Sequence, residues 1–214
     1  MSNCEVFSLP VVEVELHQVR EVCRCVLHTV VFNRALGHVT PVDVDSELFD
    51  VTYVKCGDPE VDGLLEAKIG EFVAFIERQR HQDIAQLRLS FYEKRRRQAG
   101  WFMLQQDERL YWEQWCVNLC IVQPDPFTQD HTSLAYTDAA SVRQARLQAA
   151  VEGLVTGVVR RVNDKRAHIP PVVSASTVTF PFDIAMSGGS RSSFGLSAVR
   201  KMLTSATPPP VLGA

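Results

Sequence analysis

The chain has 214 residues, of which 46% are hydrophobic and 22% are charged, and its formal net charge is -3. These values predict a globular protein with a sizeable core, and they exclude a disordered chain and a disulfide scaffold. The weak negative charge predicts no general attraction to nucleic acid or to an anionic membrane, so either partner would need a local basic cluster.

The N-terminal residues lack the basic segment and apolar run of a secretory signal, and no stretch reaches the roughly 18 apolar residues of a membrane span. The sequence therefore predicts a cytoplasmic protein without a transmembrane segment. In that reducing compartment the six cysteines are expected to remain thiols. They are Cys4, Cys23, Cys25, Cys56, Cys116 and Cys120.

The first half of the chain predicts two strands, each followed by a helix. Residues 10–15 are largely β-branched and predict a strand. Apolar residues recur every three or four positions along residues 19–31, which predicts an amphipathic helix that ends near Gly37. Residues 49–54 alternate between apolar and polar side chains and predict a half-buried strand.

The second helix has a clear start signal. Asp58 can accept hydrogen bonds from the first free amides of a helix, and Pro59 has no amide proton that needs a partner. Apolar residues then recur along residues 61–76 at helical spacing. We therefore expect a helix whose N-cap is Asp58.

Two further strands are predicted at residues 87–92 and 112–122, because both segments alternate between apolar and polar side chains. They favour an antiparallel hairpin. About twenty residues separate them, which is too many for a tight turn, so the connecting segment is expected to protrude or to carry function.

The C-terminal third predicts the longest helix of the chain, from about Asp138 to Val162, after a loop at residues 123–137. Residues 178–182 predict a strand, which Pro181 confines to a sheet edge or a bulge. A short helix is expected at residues 196–203.

This order of elements is neither strictly alternating nor segregated. It predicts an α+β fold with three main helices on one face of a mainly antiparallel sheet. We expect one domain over residues 1–206, followed by a disordered tail at residues 207–214, where three consecutive prolines occur.

The cysteines do not predict a metal site. Cys23 and Cys25 point to nearly opposite sides of their helix, and Cys116 and Cys120 are roughly 13 Å apart on one strand, too far to share a tetrahedral ion. The glycines at residues 187–190 resemble a flexible turn, and the sequence has no Gly-rich phosphate loop of the Walker type. No metal and no cofactor are therefore expected.

Glu21, Cys25 and His28 lie on one helix face, opposite the apolar stripe, because they are four and three residues apart. A thiol beside an imidazole could form a nucleophilic pair, so a thiol-dependent enzyme is one hypothesis. An exposed helical turn offers no cleft, no oxyanion donors and no group to orient the histidine. A polar helix face without a catalytic role is the favoured interpretation.

The strongest charge run, residues 94–97, precedes the large apolar residues Trp101, Phe102, Met103 and Leu104. Cations near aromatic rings can bind nucleic acid by stacking. A solvated strand end is favoured, because the rest of the chain lacks a basic footprint, so no nucleic-acid partner is expected. The apolar residues either fold back onto the core or bind a partner, and the pattern leaves both possibilities open.

Several short motifs carry a resemblance to a known family. In chain order they are residues 12–15, 26–30, 49–54, 70–72, 89–94, and finally Trp112, Glu113 and Trp115. Together, over roughly residues 10–123, they resemble the autophagy-related protein 101 family. The resemblance implies a HORMA fold, which agrees with the α+β prediction.

The resemblance also implies a function. Members of that family are non-catalytic adaptors that pair with the HORMA domain of autophagy-related protein 13, stabilise it, and belong to the kinase complex that initiates autophagosome formation. The chain would then be recruited to the preautophagosomal structure. The alternative is another HORMA-type adaptor, of a checkpoint or meiotic complex, which would keep the fold and change the partner.

The family carries a protruding loop whose tryptophan and phenylalanine recruit downstream autophagy factors. Trp101 and Phe102 fall where this loop is expected, so the resemblance implies that they bind partners. In the family pattern a proline separates the two aromatic residues, whereas here they are adjacent. Either Phe102 or Met103 could therefore take the second position.

Overall fold

The computed structural model describes residues 4–37, 39–79, 83–99, 104–122, 134–172 and 177–189. Within these ranges the chain forms six strands and three α-helices. The strands are β1 (Glu5–Val14), β2 (Val42–Asp45), β3 (Thr52–Lys55), β4 (Ile84–Ala99), β5 (Leu104–Ile121) and β6 (Phe182–Gly189). The helices are α1 (Val19–Phe32), α2 (Pro59–Arg78) and α3 (Leu134–Asp164).

The main sheet has the strand order β1-β5-β4-β6. β1 is parallel to β5, whereas β4 is antiparallel to both β5 and β6. β2 and β3 form a separate antiparallel pair. The prediction of an α+β fold with three main helices and a mainly antiparallel sheet is confirmed.

α1 lies at the centre of the core, in contact with α2, α3, β3 and β5. The predicted apolar stripe of residues 19–31 is buried, but so is the side of the helix that carries Cys25 and His28. The expectation that this second side is solvated is wrong, because α2 and β3 pack against the helix there.

The start of α2 is confirmed in detail. An Asp58 carboxylate oxygen accepts hydrogen bonds from the amides of Glu60 and Val61, at 3.1 and 2.9 Å. Gly57, just before the cap, has a φ of +68°, and a Cβ atom at this position would lie 2.3 Å from the carbonyl oxygen of Thr40. The turn into α2 therefore requires glycine.

The predicted long connection between the hairpin strands is wrong. β4 and β5 remain paired to Ala99 and Leu104, so they are separated by four residues only. A register shift between Phe91 and Tyr92 interrupts the alternation at that point. Backbone pairing continues beyond Phe91 through a largely polar stretch of sequence, and such a ribbon has no hydrophobic periodicity to read in the sequence.

Other boundaries also differ from the predictions. β2 was not predicted, and α3 begins at Leu134 rather than near Asp138. The strand predicted at residues 178–182 forms only a single bridge, between Thr179 and Ala35, before β6 begins. Gly188 and Gly189 belong to β6 rather than to a flexible turn, because they pair with the start of β4.

The predicted helix at residues 196–203 and the tail at residues 207–214 lie outside the described residues. The single domain over residues 1–206 therefore stays a prediction. In the described part of the chain, no helix is long and apolar enough to cross a membrane.

Candidate protein-interaction site

β4 and β5 extend well beyond the strands that flank them. β6 pairs with β4 only as far as Phe91, and β1 pairs with β5 only from Glu113 onward. Apart from a backbone hydrogen bond from the Tyr92 amide to the Pro181 carbonyl oxygen, residues 92–99 and 104–111 pair only with each other in the described structure. We call this two-stranded ribbon the arm. Eight residues of strand span about 26 Å, so the arm reaches well beyond the sheet.

The arm is positively charged although the whole chain is negative. It contains five basic and three acidic residues, against a net charge of -3 for the chain. The basic residues are Lys94, Arg95, Arg96, Arg97 and Arg109, and the acidic ones are Glu93, Asp107 and Glu108. Across the two strands, Arg95 is the register partner of Glu108 and Arg96 that of Asp107, whereas Lys94 is opposite Arg109.

A polar and aromatic cluster fixes the base of the arm to β6. A single carboxylate oxygen of Asp183 accepts hydrogen bonds from Arg109 and from the Tyr111 hydroxyl, both at 2.7 Å. The Arg109 guanidinium lies 4.9 Å from the centre of the Tyr92 ring, which in turn packs edge-on against Tyr111. The hydrogen bond that Arg109 donates to Asp183 raises the pKa of Arg109. The arm therefore leaves the sheet in a defined direction.

The predicted partner-binding residues, Trp101 and Phe102, lie outside the described residues. The last described residues on either side are Ala99 and Leu104, which pair with each other at the far end of the arm. The assignment of Trp101 and Phe102 to partner binding therefore stays a prediction.

The hypothetical Cys25–His28 pair is deeply buried. Cys25 and His28 are 0% and 1% exposed. The His28 ring stacks on Tyr53 of β3 at 5.7 Å, and its Nδ1 atom lies 3.7 Å from an Asp62 carboxylate oxygen. The neighbouring Glu21 carboxylate accepts a hydrogen bond from the backbone amide of Glu47. These polar groups join α1 to the elements that cover it.

The pKa shifts of Cys25 and His28 are opposite to those that a thiol nucleophile requires. Burial raises the pKa of the Cys25 thiol to about 12. Burial and the nearby Lys55 lower the pKa of His28 to about 4. A reactive cysteine needs a lowered pKa beside a cationic group, so this geometry does not favour a thiolate–imidazolium pair. Among the residues that the structure describes, no group of three or more His, Cys, Asp or Glu side chains could hold a metal ion.

The buried histidine predicts acid sensitivity. Between about pH 6.5 and pH 4 the unfolded chain binds a proton at His28 that the folded chain does not, so stability falls as pH falls. Between pH 7.5 and pH 5, protonation of His28 in the unfolded chain should lower the free energy of unfolding by about 2 kcal/mol. Urea unfolding at the two pH values measures this loss.

The variant His28→Gln is the control for this measurement, because it keeps a polar side chain of similar size but cannot titrate. Its free energy of unfolding should depend less on pH than that of the natural chain, by the amount given above. Asp62 and Glu66 titrate in both proteins, so the difference reports His28 together with its electrostatic coupling to Glu66. An identical pH dependence in both would show that the imidazole is not protonated on unfolding.

A second buried polar network surrounds Glu113, which is 0% exposed. Arg34 donates to both carboxylate oxygens, from Nε at 2.9 and 3.1 Å and from a terminal nitrogen at 2.8 Å. The Trp115 indole donates to Oε1 at 2.6 Å, and His168 Nε2 lies 2.5 Å from Oε2. Glu113 thereby links the end of α1, the centre of the sheet and the segment that follows α3.

The partners in this network could not be identified from the sequence. Arg34 follows α1 and His168 follows α3, and neither position carries a pattern that indicates burial. The only signal is Glu113 itself, an acidic residue within a strand that is otherwise largely apolar on this face. Such a position implies a buried partner but does not identify it.

Comparisons with known proteins give matches over most of the chain. The family model described as autophagy-related protein 101 matches residues 11–176. Autophagy-related protein 101 of Arabidopsis thaliana is 39% identical over 214 aligned residues, covering 96% of this chain and 98% of the relative. The human protein of that name is 32% identical, covering 86% of this chain and 83% of the relative.

Proposed function

The chain belongs to the autophagy-related protein 101 family, and from this premise we propose that it is a non-catalytic adaptor of the autophagy-initiation kinase complex. The match over residues 11–176 is the observation that carries the proposal, and it favours autophagy over a checkpoint or meiotic role. Three helices on a mainly antiparallel sheet agree with a HORMA-like fold. An autophagy-related role follows from the family, and the finer roles below are our proposal.

The first role is pairing with the HORMA domain of autophagy-related protein 13, which the chain would stabilise. The resemblance of the sequence to the family supports this partner.

The second role is recruitment of downstream autophagy factors through Trp101 and Phe102. The arm supports this role, because it ends at the residues that flank both aromatic side chains. Rigid aromatic residues are common hot spots in protein interfaces. In this proposal the chain is cytoplasmic and is recruited to the preautophagosomal structure. Its contacts there are with proteins, so neither a cofactor nor nucleic acid is needed.

Co-expression tests the first role directly. We expect the chain and the HORMA domain of autophagy-related protein 13 from the same organism to co-purify as a stable one-to-one complex, with a higher soluble yield than either protein alone. Size-exclusion chromatography with light scattering measures the stoichiometry. A HORMA domain of a checkpoint protein serves as the control and should not co-purify. Repeated failure of the autophagy pair to assemble would contradict the proposed pairing.

A further inference from the structure

The main sheet has a back face, formed by the side chains that alternate with the core residues of β4 and β5. Six of these side chains are buried, and they belong to Gln86, Ser90, Gln114, Cys116, Asn118 and Cys120. Neither Cys116 nor Cys120 belongs to the hydrophobic core that the helices share with the sheet. The burial of the back face therefore has a different source from the burial of the core.

The described helices do not account for this burial, because their buried apolar side chains belong to the core on the other face. Gln114 is 4% exposed, although its neighbours on the adjacent strands, Ser90 and Val6, have short side chains. Side chains of one sheet face stand roughly perpendicular to the sheet, so short neighbours do not enclose the end of a glutamine. The burial is found within a single chain and therefore indicates a covering segment of the same chain.

The back face also contains a buried hydrogen-bond acceptor that lacks a donor. Gln86 Nε2 donates to Asn118 Oδ1 at 2.7 Å, and Asn118 Nδ2 donates to the carbonyl oxygen of Leu9, also at 2.7 Å. By contrast, Gln114 Oε1 is buried without a hydrogen-bond partner among the described residues. A buried acceptor without a donor costs free energy, so a covering segment should bring polar as well as apolar side chains.

The chain that follows β6 is long enough to reach the back face. β6 ends at Gly189, opposite Ile84 of β4, and Gln114 is opposite Ser90, six residues further along β4. Six residues of strand span about 20 Å. The six residues 190–195 can cover a similar distance when extended, and the helix predicted at residues 196–203 then adds about 12 Å. These residues lie outside the part of the chain that the structure describes.

The sequence of residues 190–206 has the composition that the back face requires. Leu196, Val199 and Leu203 recur at helical spacing, so they form one apolar side of the predicted helix. The buried thiols of the back face behave as small hydrophobic groups, against which such a side can pack. The segment also contains three basic residues, five serines and a threonine, and no acidic residue. Each of these polar side chains is a possible donor to Gln114 Oε1.

We propose that residues 190–206 dock on the back face of the main sheet and cover it. Leu196, Val199 and Leu203 pack against Cys116 and Cys120, while a hydroxyl or a cationic side chain of the segment donates to the buried glutamine oxygen. The docked segment closes a sheet surface that another protein could otherwise contact. This docking is independent of the pairing with autophagy-related protein 13 and of the aromatic residues beyond the arm.

Two other occupants fit the back face less well. Residues 123–133 connect β5 to α3, but they contain a single large apolar residue, Phe127, and two acidic residues. They therefore offer neither an apolar side nor a basic one. A second copy of the chain would leave the face open in each separate chain, whereas the side chains of this face are buried within one chain.

Thiol labelling of the full chain with N-ethylmaleimide tests the proposal. In the double variant Leu196→Glu and Leu203→Glu, two charges interrupt the apolar side of the segment. Labelling of Cys116 and Cys120 should then become at least about tenfold faster than in the natural chain, equivalent to 1.4 kcal/mol of lost docking free energy. Tandem mass spectrometry of the digested chain reads each cysteine separately. Ser197→Glu is the matched control, because it places the same charge on the opposite side of the predicted helix, and it should leave both rates unchanged.

Two further measurements make the outcome decisive. Cys23 and Cys25 are both 0% exposed in the core, so they should stay protected in every variant that folds. Photo-crosslinking locates the segment in the otherwise natural chain: p-benzoylphenylalanine at position 199 should crosslink to β4 or β5, and at position 197 it should not. If the core thiols of the double variant also react, that variant has unfolded and the crosslink decides.

Unchanged labelling of the two back-face thiols in a folded double variant would overturn the proposal and would point to residues 123–133 as the cover. Crosslinks from position 199 that reach only other parts of the chain would overturn it as well. The double variant should still pair with autophagy-related protein 13. Failure of the docking and failure of the proposed function are therefore distinguishable.

Discussion

Replacing Glu113 by alanine should lower the free energy of unfolding by about 3–5 kcal/mol, because the substitution leaves the buried Arg34 guanidinium without its counter-charge. The Trp115 indole also loses the acceptor that lies 2.6 Å away. Arg34 and Glu113 are 4% and 0% exposed, so water cannot replace the missing carboxylate without a rearrangement of the core. Chemical denaturation measures the loss as a lower midpoint at an unchanged slope.

A double-mutant cycle separates the ion pair from general damage to the core. Arg34→Met combined with Glu113→Leu removes both charges, so the double variant should lose less free energy than the two single variants added together. Glu108→Ala, an acidic residue of the arm in the same strand, is the matched control and should cost less than about 1 kcal/mol. A loss of that small size in Glu113→Ala would show that the network does not stabilise the fold.

The parts of the fold that could be predicted from the sequence are those in which a side-chain pattern repeats. The stripes of α1 and α2 follow helical spacing, and Asp58 before Pro59 is a local signal that needs no tertiary contact. In β4 and β5 the apolar residues alternate with polar ones, and the apolar residues join the hydrophobic core. The polar residues between them, such as Gln86 and Asn118, are also buried, so the alternation indicates which face joins the core and not which residues are exposed.

The parts that could not be predicted depend on long-range contacts. The side of α1 that carries Cys25 and His28 looks solvated in the sequence, but β3 and α2 cover it. The arm pairs polar strand against polar strand, so its length is determined by backbone hydrogen bonds that leave no apolar pattern. Gly188 and Gly189 resemble a turn until the pairing of β6 with β4 is known.

The candidate sites follow the same division. Trp101 and Phe102 were identified through the resemblance to the family and through their unusual size in a polar segment. The Glu113 network combines Arg34, β5 and His168, which are far apart in the chain. No local pattern in the sequence identifies such a network.

Replacing Trp101 and Phe102 together by alanine should abolish recruitment of downstream autophagy factors while the fold survives. A hot-spot aromatic contributes about 2 kcal/mol or more to binding, so losing both residues should reduce affinity by a factor of several hundred or more. The Asp183 cluster holds the base of the arm without either residue. Pairing with autophagy-related protein 13 should also persist, and pull-downs of both classes of partner measure the two outcomes.

Thermal unfolding decides whether these side chains serve binding or packing. Truncating a buried tryptophan or phenylalanine costs about 3–5 kcal/mol, whereas truncating exposed residues costs little, so the melting temperature of the double variant should barely change. Gln105→Ala and Gln106→Ala, on the same arm, provide the matched control for both assays. Single substitutions at Phe102 and Met103 then show which residue accompanies Trp101. A large drop in melting temperature would instead place both aromatic residues in the core, because only lost packing explains destabilisation of that size.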